Sequence, residues 1–156
     1  MSDLHAMMAR SAQPGRVDWI GLRPARRDIV VPVDVVEIAD HGLQGDHGRP
    51  GKRAVTLVQA EHLPVIGQYL GGDPVQPMDL RRNFVIAGLN LSALKGRSIT
   101  IGTAVLQLTT ICAPCSRMEE TFGHGGYSAV RGHGGWCAQV VQPGLVRLGD
   151  KVCPVD

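Results

Sequence analysis

Aromatic side chains are scarce in this chain: two Trp, two Tyr and two Phe among 156 residues. So few rings cannot build a stacking platform for single-stranded RNA or DNA, which binds largely through base–aromatic contact. An excess of one charge is missing too. Sixteen Lys and Arg against fourteen Asp and Glu leave +2, too little to draw a polyanion. Nucleic acid is therefore not an expected partner. No apolar run approaches the ~18 residues of a membrane span, so no membrane is expected either. The N-terminal stretch MSDLHAMMARSAQPGR has no basic segment leading into an apolar one, so no secretion leader is expected. The expected compartment is cytoplasmic, with the four cysteines reduced rather than bridged.

Glycine and proline, by contrast, are plentiful. Twenty Gly and ten Pro cut the chain into short pieces, and β-branched residues cluster between them, the pattern of many short strands. Strands are expected over 16–24, 28–40, 53–59, 83–88, 98–102, 104–112, 136–144 and 145–155. Pro32 lies inside the second and cannot donate to a ladder, so it belongs at an edge or bulge. Two short helices are expected, over 60–70 and 116–123. In the first, Leu63, Ile66 and Leu70 recur at helical spacing and Pro64 is tolerable in the first turn. The second opens on Ser116 and Glu119, the spacing of a capping box, and stops at Gly123. The sum is a mainly β, single-domain, β-barrel-like fold with a few short helices. Residues 1–15 form an N-terminal arm and 16–156 the barrel domain.

Two glycine loops carry the basic residues. HGLQGDHGRPGKR (41–53) holds Asp46, His47, Arg49, Lys52 and Arg53. GHGGYSAVRGHGG (123–135) holds His124, Arg131 and His133. Glycine brings backbone N–H groups close to a ligand and suits anion binding, and Arg and Lys add charge-assisted bonds to a phosphate. Plain surface turns share this chemistry, and neither loop is a nucleotide signature. In LRRN (80–83), Arg81 and Arg82 are adjacent, so at most one faces a given pocket from a strand. Arg82 is favoured because it neighbours Asn83; an exposed pair is the plainer alternative.

The segment TTICAPCSRMEE (109–120) raises the question of its two thiols. Cys112, Cys115, His124 and His133 have a spacing looser than structural zinc sites use. A thioredoxin-like exchange motif belongs early in a βαβ pattern, whereas this one comes late in a strand-rich chain. Haem attachment is excluded, because Ser116 stands where a histidine is required. Cys115 lies just before a helix N-terminus, where the dipole favours a thiolate. Cys112 ends an apolar strand and reads as inert, while Cys137 and Cys153 read as small buried hydrophobes.

Five segments, GLQGDHG (42–48), KRAVTLVQAEHL (52–63), LRRNFVIAGLNL (80–91), ICAPCSRMEE (111–120) and GGYSAVRGHGG (125–135), together resemble the MOSC domain, named for the C-terminal domain of molybdenum cofactor sulfurase. The resemblance implies a β-barrel whose cleft holds the molybdenum cofactor (molybdopterin), with Cys115 as both catalytic residue and metal ligand. It makes His47, Lys52, Arg53, Arg82, Asn83, Arg131 and His133 the candidate cofactor-binding residues. It further implies an oxidoreductase acting on a small-molecule substrate such as an N-hydroxylated compound, or else a sulfur carrier holding a persulfide on Cys115. These 156 residues include neither the β-rich N-terminal domain nor the iron–sulfur module of larger members. The resemblance therefore implies a partner protein, either an electron-transfer protein or a pyridoxal-phosphate cysteine desulfurase.

Overall fold

In a computed structural model of the protein, residues 3–155 are described. A short helix α1 (Asp3–Ala9) with no buried residue precedes β1 (Gly15–Leu22). Then come β2 (Val31–Pro32), β3 (Val35–Ala39), β4 (Gly42–Leu43) and β5 (Val55–Gln59). The valine-rich 28–40 segment is thus two strands rather than one. Pro32 sits on the edge strand β2, paired only with β1, where its missing donor costs nothing.

Helices α2 (His62–Tyr69) and α3 (Pro77–Leu80) carry the chain from β5 to β6 (Phe84–Ala87). β5 and β6 are parallel neighbours, which demands such a crossover. A 3-10 turn over Leu91–Leu94 leads to β7 (Ser98–Ile101) and β8 (Ala104–Ile111). Two helices follow, α4 (Ser116–Phe122) and α5 (Gly126–Val130), before β9 (Trp136–Gln142), β10 (Gly144–Arg147) and β11 (Lys151–Pro154). Five helices therefore stand where two were expected. The extra ones are one or two turns, four to seven residues long, too short for a 3.6-residue period to register.

Seven strands close into a barrel in the order β1–β6–β5–β9–β8–β7–β11, with β11 returning to β1 through Gly15–Val152 and Arg16–Lys151. Closure leaves none of these seven strands with an open edge. Strand alternation sends Leu57, Phe84 and Ile86 into the interior, with Ile20, Ile99, Leu106 and Trp136. Their neighbours Val58 and Val85 point outward, yet they too are buried, beneath Ile66, Leu80, Met118, Ala129 and Val130. That second layer explains why β5 is buried at every position and reads as an unbroken apolar run. It also seats α4 and α5 on the outside of the barrel beside α2. A separate three-stranded sheet, β10–β3–β4, lies apart in pairing. Among the described residues, no helix is long and apolar enough to cross a membrane.

Candidate functional site

The rim where β1, the 41–53 loop and the start of β6 meet is held by a buried polar knot. Asp46 accepts hydrogen bonds from the Arg23 backbone N–H at 2.7 Å and from Arg23 Nε and Nη2 at 3.1 and 3.0 Å. The Gly48 N–H and Asn83 Nδ2 donate to the same carboxylate at 3.0 and 3.1 Å. Burial alone would raise the Asp46 pKa, but the bonds and charge of Arg23, helped by Asn83, hold it below the ordinary carboxylate value. Asn83, 0% exposed, accepts from the Thr56 N–H and hydroxyl and from Arg23 Nη2, while its Nδ2 also donates to the Gly21 carbonyl. Every amide atom of Asn83 is thereby committed inside the protein. It holds Arg23 and Asp46 in place from beneath.

Above the knot opens a cavity of about 640 Å³ walled by Arg23, His47, Gly48, Arg49, Pro50, Lys52 and Arg53. His47 Nδ1 lies 2.8 Å from the Arg23 carbonyl. A carbonyl only accepts, so Nδ1 carries the proton and Nε2 is the acceptor nitrogen of the ring. Arg81 caps α3 in a left-handed conformation, φ 57°, and its guanidinium donates to the carbonyls of Asp28 and Ala25. Burial, then the charges of Arg117 and Arg23, press Arg81 below the usual arginine value. Arg23 and Arg117 thus both lie within electrostatic reach of Arg81. Such an arrangement attracts an anion.

Arg117 belongs to the first turn of α4, two residues after Cys115. The expected capping box does not form: the N-cap is Cys115 itself, in extended conformation and with no side-chain capping bond. Glu119 instead accepts from the N–H groups of Gly125 and Tyr127 at 3.3 and 2.9 Å, tying α4 to α5. Cys115 is exposed, whereas Cys112 and Cys137 are buried, their sulfurs 3.2 Å apart. Reading these two as unrelated apolar fillers missed their contact.

Among the other expected residues, Arg82 lies across the second glycine loop, its Nε donating to the Gly134 carbonyl at 2.7 Å and Nη1 to the Leu80 carbonyl at 2.7 Å. Arg131 is exposed at the C-terminal end of α5. His133 packs its ring against His62 and Tyr69, at centroid distances of 5.1 and 5.7 Å. His47, Lys52 and Arg53 therefore share one wall; Arg131 and His133 do not line it. Reading the sequence missed Arg23, Arg81, Arg117 and the knot beneath them. Arg23 and Asn83 are sixty positions apart, and no local spacing announces such a pair.

Among the described residues no cluster of three or more His, Cys, Asp or Glu could hold a bare metal ion. Cys115 does not line the cationic cavity; an exposed thiol and a basic cavity on one chain suit a metal that arrives with most of its own ligands on an anionic carrier. The donor set fits a pterin dithiolate bearing a phosphate.

The fold has relatives among solved structures. The YuaD protein from Bacillus subtilis superposes with a TM-score of 0.78 at 18% identity, covering 90% of this chain and 94% of that one. YiiM from Geobacillus stearothermophilus gives 0.76 at 19% identity, covering 92% and 76%. YiiM from Escherichia coli gives 0.70 at 20% identity, covering 90% and 70%. At such identities the likeness speaks for the barrel alone. No match is found among curated proteins. The sequence itself matches the MOSC domain over residues 41–153, a span that takes in Cys115, both glycine loops and most of the barrel. The chain belongs to the MOSC domain family.

Proposed function

We propose that this domain binds the molybdenum cofactor, with Cys115 as the protein thiolate on the metal, and acts as an oxidoreductase on N-hydroxylated or similar small substrates. The observation that carries the reading is the cationic cavity walled by Arg23, Arg49, Lys52 and Arg53, together with an exposed thiol two residues from Arg117, whose charge and that of Arg23 both act on Arg81. Guanidiniums are suited to a phosphate, which they grip through paired charge-assisted bonds. Arg23 lines the cavity with its Nε and Nη2 committed to Asp46 and Asn83, which leaves Nη1 as its donor towards an anion. Lys52 and Arg53 supply further donors along the wall, which His47 also lines. Arg82 and Asn83 act by positioning, the first on the Gly134 carbonyl and the second on Arg23.

Once bound, the cofactor supplies two-electron redox chemistry. The chain's own part is to donate the Cys115 sulfur, to hold the phosphate and to keep the ligating loop seated on α4. Electrons come from a partner protein in this reading.

The test is production in a host that makes the cofactor, followed by molybdenum analysis and fluorescence of oxidised pterin on the purified protein. Molybdenum and pterin in near-equal amounts to protein are expected. A Cys115 persulfide with neither molybdenum nor pterin would replace this reading with the sulfur-carrier alternative.

A further inference from the structure

Strands β8 and β9 pair antiparallel, with Thr110 opposite Cys137 and Ile111 opposite Trp136. One step on, the Cys112 N–H donates to the Gly135 carbonyl at 2.8 Å. Cys112 and Cys137 are therefore diagonal neighbours across the ladder, the second class of contact through which paired strands interact. A shift of register between Leu108 and Thr110 precedes the contact in the same ladder. The residues are 9% and 6% exposed and their sulfurs stand 3.2 Å apart. A disulfide bond is about 2.05 Å long, so about 1 Å of approach separates contact from bond.

The pair is not sealed. Cys112 lines a cavity of about 140 Å³ with Gln59, His62, Trp136 and the backbone of Gly134 and Gly135. A water molecule's share of liquid volume is about 30 Å³, so the space admits a few waters or a small hydroperoxide and no peptide-sized disulfide. Arg82, fixed on the Gly134 carbonyl, sets a positive charge beside both sulfurs. The Cys112 S–H bond, opposed by burial and aided by the charges of Arg82, Arg53 and Arg23, brings Cys137 down to about 7. The same contact and burial push Cys112 up. One proton is then shared between two sulfurs near neutral pH.

We propose that Cys112 and Cys137 form a redox-active dithiol, separate from Cys115, that is oxidised to a disulfide by hydrogen peroxide or a small hydroperoxide entering through the Cys112 cavity.

The Cys137 thiolate attacks one peroxide oxygen and the O–O bond breaks. The departing hydroxide takes the Cys112 proton and leaves as water. Cys137 is now a sulfenic acid. The Cys112 thiolate attacks its sulfur, the S–O bond breaks and hydroxide departs. Each sulfur has lost one electron, and the two peroxide oxygens have gained two, ending as water and hydroxide. The new bond ties the start of the Cys115 loop to β9, and reduction by a dithiol frees it.

The experiment treats the reduced full chain with increasing hydrogen peroxide, quenches with acid, alkylates under denaturing conditions and maps tryptic peptides. Two of the four thiols are expected to be lost together, joining peptide 98–117 to peptide 132–147 through Cys112 and Cys137. Dithiothreitol should restore both. The double variant Cys115→Ala, Cys153→Ala should give the same link, because neither residue takes part. Alkylation of both Cys112 and Cys137 after a dose that has oxidised Cys115 would overturn the proposal. So would a link that runs through Cys115.

Discussion

Asp46 has five hydrogen-bond donors around its carboxylate and a side chain that is 0% exposed. Removing it would leave the Arg23 guanidinium, 14% exposed, without its counter-charge. Loss of one partner of a buried pair costs about 3 kcal/mol or more. Asp46→Ala should therefore lower unfolding free energy by ~3 kcal/mol in urea titrations at pH 7. A change below ~0.5 kcal/mol would mean that the knot is not structural. The pH dependence has a definite sign. Asp46 has a folded pKa below its ordinary 3.8, so its stabilisation is fully present above that value. It is lost as pH falls through the folded pKa. Wild type should thus lose more stability than Asp46→Asn between pH 5 and pH 3. Equal losses would contradict the pairing. None of this was legible in the sequence. Asp46 stood in a polar glycine loop like any other, and its partners lie 23 and 37 positions away.

Single turns of helix and single residues of register decide what each segment presents. The helix after the cysteines was readable from MEETF and Gly123, but its frame was not. Ser116 lies inside it and Cys115 caps it. The supposed capping-box acid, Glu119, reaches forward to Gly125 and Tyr127 rather than back. Glu119→Ala should therefore speed amide hydrogen exchange at Gly125 and Tyr127 while leaving the barrel strands unchanged. Unaltered exchange at both would show that the α4–α5 joint holds without it. The second glycine loop proved to be partly helical, since α5 occupies its middle. Its last glycine has a stricter role. At Gly135, φ is 98° and a Cβ would come within 2.0 Å of the Leu57 carbonyl oxygen, a backbone atom that cannot turn aside. Glycine there is a condition for β9 to meet β5, whatever the loop binds.

At the scale of the whole molecule, the mainly β class and the closed barrel were legible because short β-branched runs between turn residues are a strong local signal. The parallel β5–β6 pair and its helical outer layer were less so. Val58 and Val85 look like any other strand residues until α2, α4 and α5 cover them. Site legibility divides in the same way. Cys115 and the 41–53 loop carry their chemistry in a few neighbouring letters. Arg23 and Arg117 come within electrostatic reach of Arg81 only when the chain is folded. The central claim is that one exposed thiol, Cys115, ligates a cofactor-borne metal while the buried Cys112 does not. Its most direct measurement is molybdenum per protein in wild type, Cys115→Ser and Cys112→Ala, all from the same cofactor-competent host. Cys115→Ser should lose nearly all stoichiometric molybdenum and Cys112→Ala should keep most of it. Retention in Cys115→Ser, or equal loss in both variants, would contradict the account.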